Sequence, residues 1–275
     1  MPPRAAANAP TRAGRPALER ASYWERSKAP LQVLCFLLPL LALHEAGSLA
    51  MLMDPDTGQR VRSVAAQQII VDLGIRLIGT WSLVLPALLF VGVLLACHIV
   101  RRDPWVVSFR VVGLMAVETV VWTVLLLVLM TLVGDILLSG AMQLAQETVP
   151  AEVVSTAAEQ AVISLGAGLY EELLFRLVLI TAFLWILRDG FGLRADWAAG
   201  IAIGLSALLF AVYHNDSFTG TGGVDLARIL AYSIAGVFFG VVFLWRGFGI
   251  VVAAHALYDI VVLVSPLLLD AAPEA

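Results

Sequence analysis

The stretch AVISLGAGLYEELLFRLVLITAFLWIL, residues 161–187, decides the fold because it is apolar along most of its length and yet carries three charged side chains. A helix needs about 20 predominantly apolar residues to cross a hydrocarbon core of about 30 Å. Charged groups are costly in hydrocarbon, so membrane proteins keep them mostly where they face one another or a wet cavity and perform a task. The stretch therefore predicts a membrane-spanning helix whose charged residues belong to a functional site.

The rest of the chain has the same apolar character. Of its 275 residues, 60% are hydrophobic and 14% are charged, and the mean hydropathy is +0.92. These values exclude an ordinary soluble domain and indicate an integral membrane protein. We predict an all-α, polytopic transmembrane helical bundle of about seven spans, at residues 31–53, 77–100, 111–133, 161–187, 197–214, 228–245 and 248–269.

Composition divides the chain into four segments. Residues 1–30 are rich in Ala, Pro and Arg without apolar periodicity, which is typical of a disordered basic tail. Residues 31–135 hold the N-terminal transmembrane helices, and residues 136–160 predict an interfacial amphipathic linker broken near Pro150. Residues 161–270 form the core that carries the polar motifs.

The distribution of basic residues predicts the orientation, since Lys and Arg in short connections mark the cytoplasmic side. Besides the tail, the basic connections contain Arg101, Arg102, Arg110, Arg188, Arg194 and Arg246. The alternate connections are acidic, so the N-terminus is predicted to be cytoplasmic and the C-terminus to lie outside. A cleavable signal is the alternative for the first run, because small residues at 47–50 follow the apolar residues 31–43.

The sequence argues against a nucleic-acid partner and against special roles for the two cysteines. No basic stripe interleaved with aromatic residues is present, so we expect no nucleic-acid partner. Cys35 and Cys97 both lie in apolar runs, where a thiol behaves as a small hydrophobe, so neither a disulfide nor a metal role is expected for them.

Glu118, in the third run, belongs to no motif, and we expect a structural or interfacial role for it.

The first polar motif is YEELLFR, in the fourth run. Glu172 and Arg176 are four residues apart and share a helical face, so they are predicted to pair, leaving Glu171 to point elsewhere. A carboxylate paired to a guanidinium stays ionised, whereas one in a poorly solvated pocket is tuned toward a general base. Glu171 is thus the better candidate for a general base, and Glu172 for a structural role. A buried ionic network of Glu171, Glu172 and Arg176 that holds helices together is an open alternative.

Two further motifs repeat the spacing of four. Phe210 precedes His214 by one turn at the end of the fifth run, and His255 precedes Asp259 in the last run. A histidine at a helix end is often a capping or interfacial residue, and a buried His–Asp pair can simply connect helices. The functional interpretation depends on the conjunction, because three helices each supply a polar cluster.

The order EExxxR, FxxxH, then HxxxN or HxxxD resembles the CPBP family of intramembrane proteases, named for CAAX proteases and bacteriocin-processing enzymes. Residues 171–176, 210–214 and 255–259 match the three motifs in order, and the resemblance covers about residues 161–260. It implies a glutamate-type peptidase in which Glu171 and His214 polarise a water molecule. His255, with Asp259, would stabilise the oxyanion.

The remaining motif residues, Glu172, Arg176 and Phe210, are expected to support this site. Asp259 is the acidic variant of its motif, and an ionised carboxylate cannot donate a hydrogen bond. Its expected role is to orient His255 and keep it protonated, with a neutral Asp donor as the alternative.

The resemblance implies no cofactor. Zinc is the alternative, since two His and two carboxylates suit it chemically, although the HExxH pattern is absent.

The expected function is an endopeptidase in a bacterial inner membrane that cleaves membrane-anchored or interfacial peptide segments. The predicted orientation places His214 near the outer surface, which favours C-terminal sorting tails or exported peptides as substrates and the myxosortase-like branch of the family. Two alternatives stay open. They are a non-catalytic membrane scaffold or bacteriocin immunity protein of the same fold, and a proton-coupled transporter that uses the same polar residues as a relay.

Overall fold

The computed structural model describes residues 22–53, 64–78, 84–138, 156–214 and 225–270. All regular elements in these ranges are helices, which confirms the all-α class. The α-helices are α1 Tyr23–Arg26, α2 Pro30–Met51, α3 Ala65–Ile78, α4 Leu85–Arg101, α5 Phe109–Leu138, α6 Ala157–Gly166, α7 Thr181–Trp185, α8 Ala195–Tyr213, α9 Leu226–Arg246, α10 Phe248–Asp259 and α11 Ser265–Asp270. Four π-helical segments adjoin them: π1 Ala167–Glu171, π2 Leu173–Ile180, π3 Ile186–Gly190 and π4 Ile260–Val264.

Five helices among the described residues are long and apolar enough to cross a membrane. They are Pro30–Met51, Phe109–Ile136, Ala195–Tyr213, Leu226–Arg246 and Phe248–Leu268. The predicted second span corresponds to the shorter apolar helix α4, and the predicted fourth lies in the helical path from α6 to π3, where α and π segments alternate. The count of about seven and the cytoplasmic N-terminus stay predictions.

The predicted segment boundaries also stay predictions. Residues 1–21 of the tail and 139–155 of the linker lie outside the described residues. In the described part of the tail, α1 forms with Glu25 bonded back to Ser22, the residue before the helix. The helix is thus stabilised locally by a capping box.

Local sequence explains where the core helices begin. Thr156 and Glu159 form a capping box at the start of α6, and Asp225 accepts a hydrogen bond from the Arg228 N–H at the start of α9. Between α9 and α10 there is one residue, Gly247, with a φ of 92°. Residues with a side chain rarely adopt this conformation, so glycine permits the sharp reversal that packs α10 against α9.

α10 is the centre of the bundle. It packs against α5, α9 and π1, and its residues from Phe248 to Ala256 are all buried. A helix buried on all sides cannot present its polar residues to lipid, so His255 must face other protein groups. This placement brings the third motif to the other two.

Candidate active site

The candidate site forms where π1 crosses α10. A Cβ at Gly168 would lie 2.7 Å from the Ala256 Cβ, the Ala256 nitrogen and the Val252 oxygen. Glycine therefore lets the two backbones approach more closely than any residue with a side chain would, as small residues do at other membrane helix contacts. The close contact places the paired glutamates of the first motif beside His255.

His255 is surrounded by three carboxylates. Its Nδ1 lies 2.7 Å from Glu172 Oε1, and its Nε2 lies 3.5 Å from Asp259 Oδ2 and 4.0 Å from Glu171 Oε2. Glu171 and His255 are only 6% and 4% exposed, and Glu172 is fully buried. Four titratable groups from two helical paths thus share one buried region, which is costly unless they interact with one another.

The predicted pairing within the first motif is confirmed, since Arg176 Nε lies 3.1 Å from Glu172 Oε2. The expectation that Glu171 points away is wrong in one respect, because both glutamates face the same imidazole on its two nitrogens. The reason is backbone geometry. The chain is π-helical on both sides of Glu172, and wider π turns separate neighbouring side chains by a smaller angle than α turns do.

Arg176 is fully buried and is held by more than its carboxylate. Its guanidinium carbon lies 4.4 Å from the centre of the Phe210 ring and 5.2 Å from that of Phe239, and its Nη2 donates to the Gly236 carbonyl at 3.4 Å. Cations lying over aromatic faces are stabilised by the ring quadrupole, most strongly when water is excluded. The phenylalanine of the second motif therefore supports the arginine of the first.

His214 lies at the C-terminal end of α8, one residue beyond the helix. Its Nδ1 is 2.8 Å from the Phe210 carbonyl oxygen, and its ring stacks on Tyr232 with centroids 4.2 Å apart and an angle of 16°. The Phe210 ring lies between the two histidines, 4.6 Å from His214 and 6.0 Å from His255. The three motifs are thereby joined in one cluster.

The hydrogen-bond partners fix how each imidazole can act. A carbonyl oxygen only accepts, so His214 Nδ1 carries a proton and Nε2 of the neutral ring is an acceptor. At His255 the carboxylate of Glu172 likewise accepts from Nδ1, which leaves Nε2 toward Glu171 and Asp259. His214 is therefore suited to accepting a proton at Nε2. The Nε2 atom of His255 is instead directed toward the carboxylates of Glu171 and Asp259.

Sequence reasoning missed three aromatic residues of this cluster. Phe239 stacks on His255 with centroids 4.5 Å apart and an angle of 23°, Tyr232 stacks on His214, and Tyr213 packs on Phe175 at 5.1 Å. Tyr232 and Phe239 are seven residues apart on α9 and so share a face, which is a detectable signal. Nothing in that spacing says that the face meets histidines.

The described residues contain no group of three or more His, Cys, Asp or Glu side chains arranged to hold a metal ion. Around His255, the carboxylates instead contact the imidazole itself. The absence of a cofactor stays a prediction.

Comparison with known proteins gives a match to a protein family. Residues 154–261 match the protein family described as type II CAAX prenyl endopeptidase Rce1-like, a segment that contains all three motifs. No curated protein and no solved structure matches the chain. The apolar helices and this family together support a multi-pass membrane protein that acts on a peptide substrate. The resemblance to the CPBP family is therefore confirmed: residues 154–261 of this chain are similar to the Rce1-like CAAX endopeptidases, which supports a CAAX-type intramembrane protease.

Proposed function

We propose that the protein is an intramembrane endopeptidase in which Glu171, His214, His255 and Asp259 hydrolyse a peptide bond. One observation carries the proposal. A buried imidazole, His255, lies 3.5 Å from Asp259, one turn further along the same helix, and 4.0 Å from Glu171, which is more than 80 residues away in sequence. Such a set of acid–base groups, buried in a bundle of mainly apolar helices, is costly to maintain without a task.

In the first step, a water molecule bound between Glu171 and His214 attacks the scissile carbonyl carbon. A new C–O bond forms while the water proton moves to the Glu171 carboxylate, and His214 Nε2 accepts a hydrogen bond that orients the water. General base action of this kind typically contributes about 10²–10⁴-fold to the rate. The product of the step is a tetrahedral oxyanion.

His255 stabilises that oxyanion. Its Nδ1 is engaged by Glu172, so Nε2 is the nitrogen that would turn toward the developing negative charge, with Asp259 favouring the protonated ring. When the oxyanion collapses, the C–N bond breaks and the proton on Glu171 passes to the leaving nitrogen. One water molecule is consumed, and a carboxylate and an amine are released.

The position of the site within a membrane bundle restricts the kinds of peptide that can be cleaved. In a helix, backbone hydrogen bonds shield the carbonyl, so the cleaved segment must be unwound where it enters the site. A membrane-anchored tail or an interfacial peptide meets this requirement. His214 lies at the end of α8, on the side predicted to face outward, which supports the processing of C-terminal sorting tails or exported peptides in a bacterial inner membrane. The myxosortase-like branch of the family fits this assignment.

The test compares cells that lack the chain with cells that carry wild type, Glu171→Gln or Glu45→Gln. Mass spectrometry of membrane-protein C-termini is expected to show new ends with wild type and with Glu45→Gln, and none with Glu171→Gln. Glu45 is a matched control because it is a half-buried carboxylate bonded by a tyrosine hydroxyl, Tyr170, at 2.5 Å. Each variant is checked for equal abundance and equal thermal stability in detergent.

Other outcomes would reject parts of the proposal or favour the scaffold. Cleavage that persists with Glu171→Gln rejects the base assignment, and identical C-termini with and without wild type reject the protease. A biological phenotype that needs the chain but survives Glu171→Gln favours the scaffold. A peptide that spans an identified cut, incubated with purified protein and a chelator, then tests for a metal. Loss of cleavage that added zinc restores would overturn metal independence.

A further inference from the structure

Tyr213 lies between the candidate site and a helix outside the three motifs. It is the last residue of α8, directly before His214, and its hydroxyl accepts a hydrogen bond from the Ala66 N–H at 2.5 Å. Ala66 is in the first turn of α3, where backbone N–H groups have no partner within the helix. Tyr213 thus accepts a hydrogen bond from one of the N–H groups that have no partner within the first turn of α3.

Tyr213 also packs beside the segment that carries Glu171. Its ring packs 5.1 Å from that of Phe175, one turn beyond Glu171, and its hydroxyl interacts electrostatically with the Glu171 carboxyl. α3 also packs against π1, the segment that ends at Glu171. The tyrosine therefore contacts α3 through its hydroxyl and Phe175 through its ring, and its hydroxyl is close enough to Glu171 to interact with that charge.

A phenol has one hydrogen to donate and two lone pairs that accept. Ala66 supplies a donor, so the Tyr213 oxygen accepts there and its own hydrogen is left for an acceptor. The Glu171 carboxylate is the charged acceptor with which it interacts. Hydrogen bonds to carboxylates are short and directional, so this contact would restrict the rotation of the carboxylate.

We propose that Tyr213 is a positioning residue for peptide hydrolysis: its hydroxyl, fixed by the Ala66 N–H, donates to Glu171 and holds that carboxylate toward His255 and the attacking water. The inference rests on the proposed function and adds to it a residue that belongs to none of the three motifs. α3 takes part because its first turn fixes the tyrosine. The N-terminal half of the chain thereby contributes to a site whose motif residues all lie in the C-terminal half.

The test is Tyr213→Phe, which removes the hydroxyl and keeps the ring that packs on Phe175. With a peptide that spans a cut identified for wild type, kcat is expected to fall about 10- to 100-fold while KM stays within about twofold, since misplacing a reacting group by about 1 Å can cost about 10²-fold. Tyr23→Phe is the matched control. It removes a tyrosine hydroxyl that donates to a different carboxylate, Glu118, at 2.5 Å, and it is expected to retain the wild-type kcat.

A second pair of variants tests the role of α3. Ala66→Pro removes the N–H that fixes Tyr213, in a first turn where proline is tolerated better than in a helix interior, and Ala65→Pro is the control that leaves this N–H in place. Ala66→Pro is expected to lower kcat as Tyr213→Phe does, and the double variant is expected to be no slower than the slower single one, because both changes remove one hydrogen-bonded chain.

Amide hydrogen exchange supplies a readout that does not depend on activity. Exchange in the peptide that contains Ala66 is expected to accelerate in Tyr213→Phe and to remain at the wild-type rate in Tyr23→Phe. A Tyr213→Phe protein with wild-type kcat, or one that changes KM alone, overturns the inference, as does unchanged exchange at Ala66.

Failure of the proposed function gives a different result. Glu171→Gln is assayed in parallel, and if it retains cleavage, the catalytic assignment falls and the positioning role falls with it. If Glu171→Gln is inactive while Tyr213→Phe has full activity, only the role of Tyr213 is rejected. If Tyr213→Phe does not fold, Ala66→Pro decides, because that variant leaves the tyrosine in place.

Discussion

Two buried polar clusters lie along α9, and they differ in how fully their carboxylates are satisfied. One is the candidate site, which contacts α9 at Tyr232 and Phe239. The other, here called the Arg246 cluster, consists of Arg246, Glu118, Tyr23, Trp122 and Ser27. Tyr232 and Arg246 are separated by about 21 Å of helix at about 1.5 Å per residue, so the two clusters lie at different depths of the bundle.

In the Arg246 cluster, one carboxylate accepts four hydrogen bonds. Glu118 is bonded by Arg246 Nε, by Arg246 Nη2 at 2.6 Å, by the Tyr23 hydroxyl at 2.5 Å and by Trp122 Nε1 at 3.1 Å. The Arg246 guanidinium also lies 3.6 Å above the Trp24 ring. Burial and the bond to Glu118 raise the pKa of Tyr23 above its ordinary value, so its hydroxyl stays protonated and keeps donating. Glu118 is a structural acceptor, as its lack of a motif predicts.

The carboxylates of the candidate site are arranged differently. Three of them surround one imidazole, and Glu171 lies 4.0 Å from His255 Nε2, beyond hydrogen-bonding distance. A saturated carboxylate has no lone pair left for water, whereas one that accepts fewer hydrogen bonds can still bind and deprotonate a water molecule. Burial and an arginine partner occur in both clusters, so neither distinguishes a structural glutamate from a catalytic one. The number of hydrogen bonds that the carboxylate accepts does distinguish them.

Glu118→Gln tests the structural side of the comparison and is expected to have the largest effect on stability. It leaves Arg246, which is fully buried, without its counter-charge, and removing one partner of a buried ion pair costs about 3–5 kcal/mol. We expect a large fall in the free energy of unfolding in detergent, while kcat per folded molecule stays near that of wild type. Glu171→Gln should show the opposite pattern. Equal patterns in both variants would contradict the distinction between the clusters.

Gly168→Ala tests the contact that brings the candidate site together. The added Cβ would lie 2.7 Å from two atoms of Ala256 and from the Val252 oxygen, so π1 must move away from α10. Overpacking of this kind costs about 1–3 kcal/mol, and the same shift separates Glu171 and Glu172 from His255. Both the free energy of unfolding and kcat are expected to fall.

Gly113→Ala is the control for this change. Gly113 lies in α5, and a Cβ there would meet nothing within 4 Å. Alanine is favoured over glycine in a helix by about 1 kcal/mol, so the control should be neutral or slightly stabilising. A Gly168→Ala protein that behaves like Gly113→Ala would show that the close approach of π1 to α10 is not needed.

The sequence predicts much of this arrangement, and the limits have physical causes. Hydropathy gives the all-α class, and the spacing of four gives the pair of Glu172 with Arg176. It does not give the contact of Glu172 with His255, because that contact depends on how π1 meets α10. The π-helical winding around Glu172 was also unpredicted, since apolar periodicity does not distinguish single π turns from α turns.

Contacts between distant segments were the least predictable. The bond from the Ala66 N–H to Tyr213 and the bonds from Tyr23 and Arg246 to Glu118 each join residues far apart in sequence. No local spacing encodes such pairs. Their donors are ordinary residues outside the motifs, so only the packing of the bundle identifies them.

Asp259→Asn is expected to have the smallest effect, and it sharpens the comparison within the site. Asp259 lies 3.5 Å from His255 Nε2, whereas Glu172 lies 2.7 Å from Nδ1, so the closer partner remains when Asp259 loses its charge. Asparagine keeps the shape and gains an amide donor that can itself bond to an oxyanion. We expect kcat to stay within about 10-fold of wild type, as judged by cleavage of the identified peptide, because the asparagine side chain can still contact His255 Nε2 or the oxyanion. Asp259→Ala, which removes both the carboxylate and any replacement donor, should be slower than Asp259→Asn. If the two variants are equally slow, the negative charge on Asp259 is what the reaction requires, and its role is to keep His255 protonated rather than to contribute a hydrogen bond.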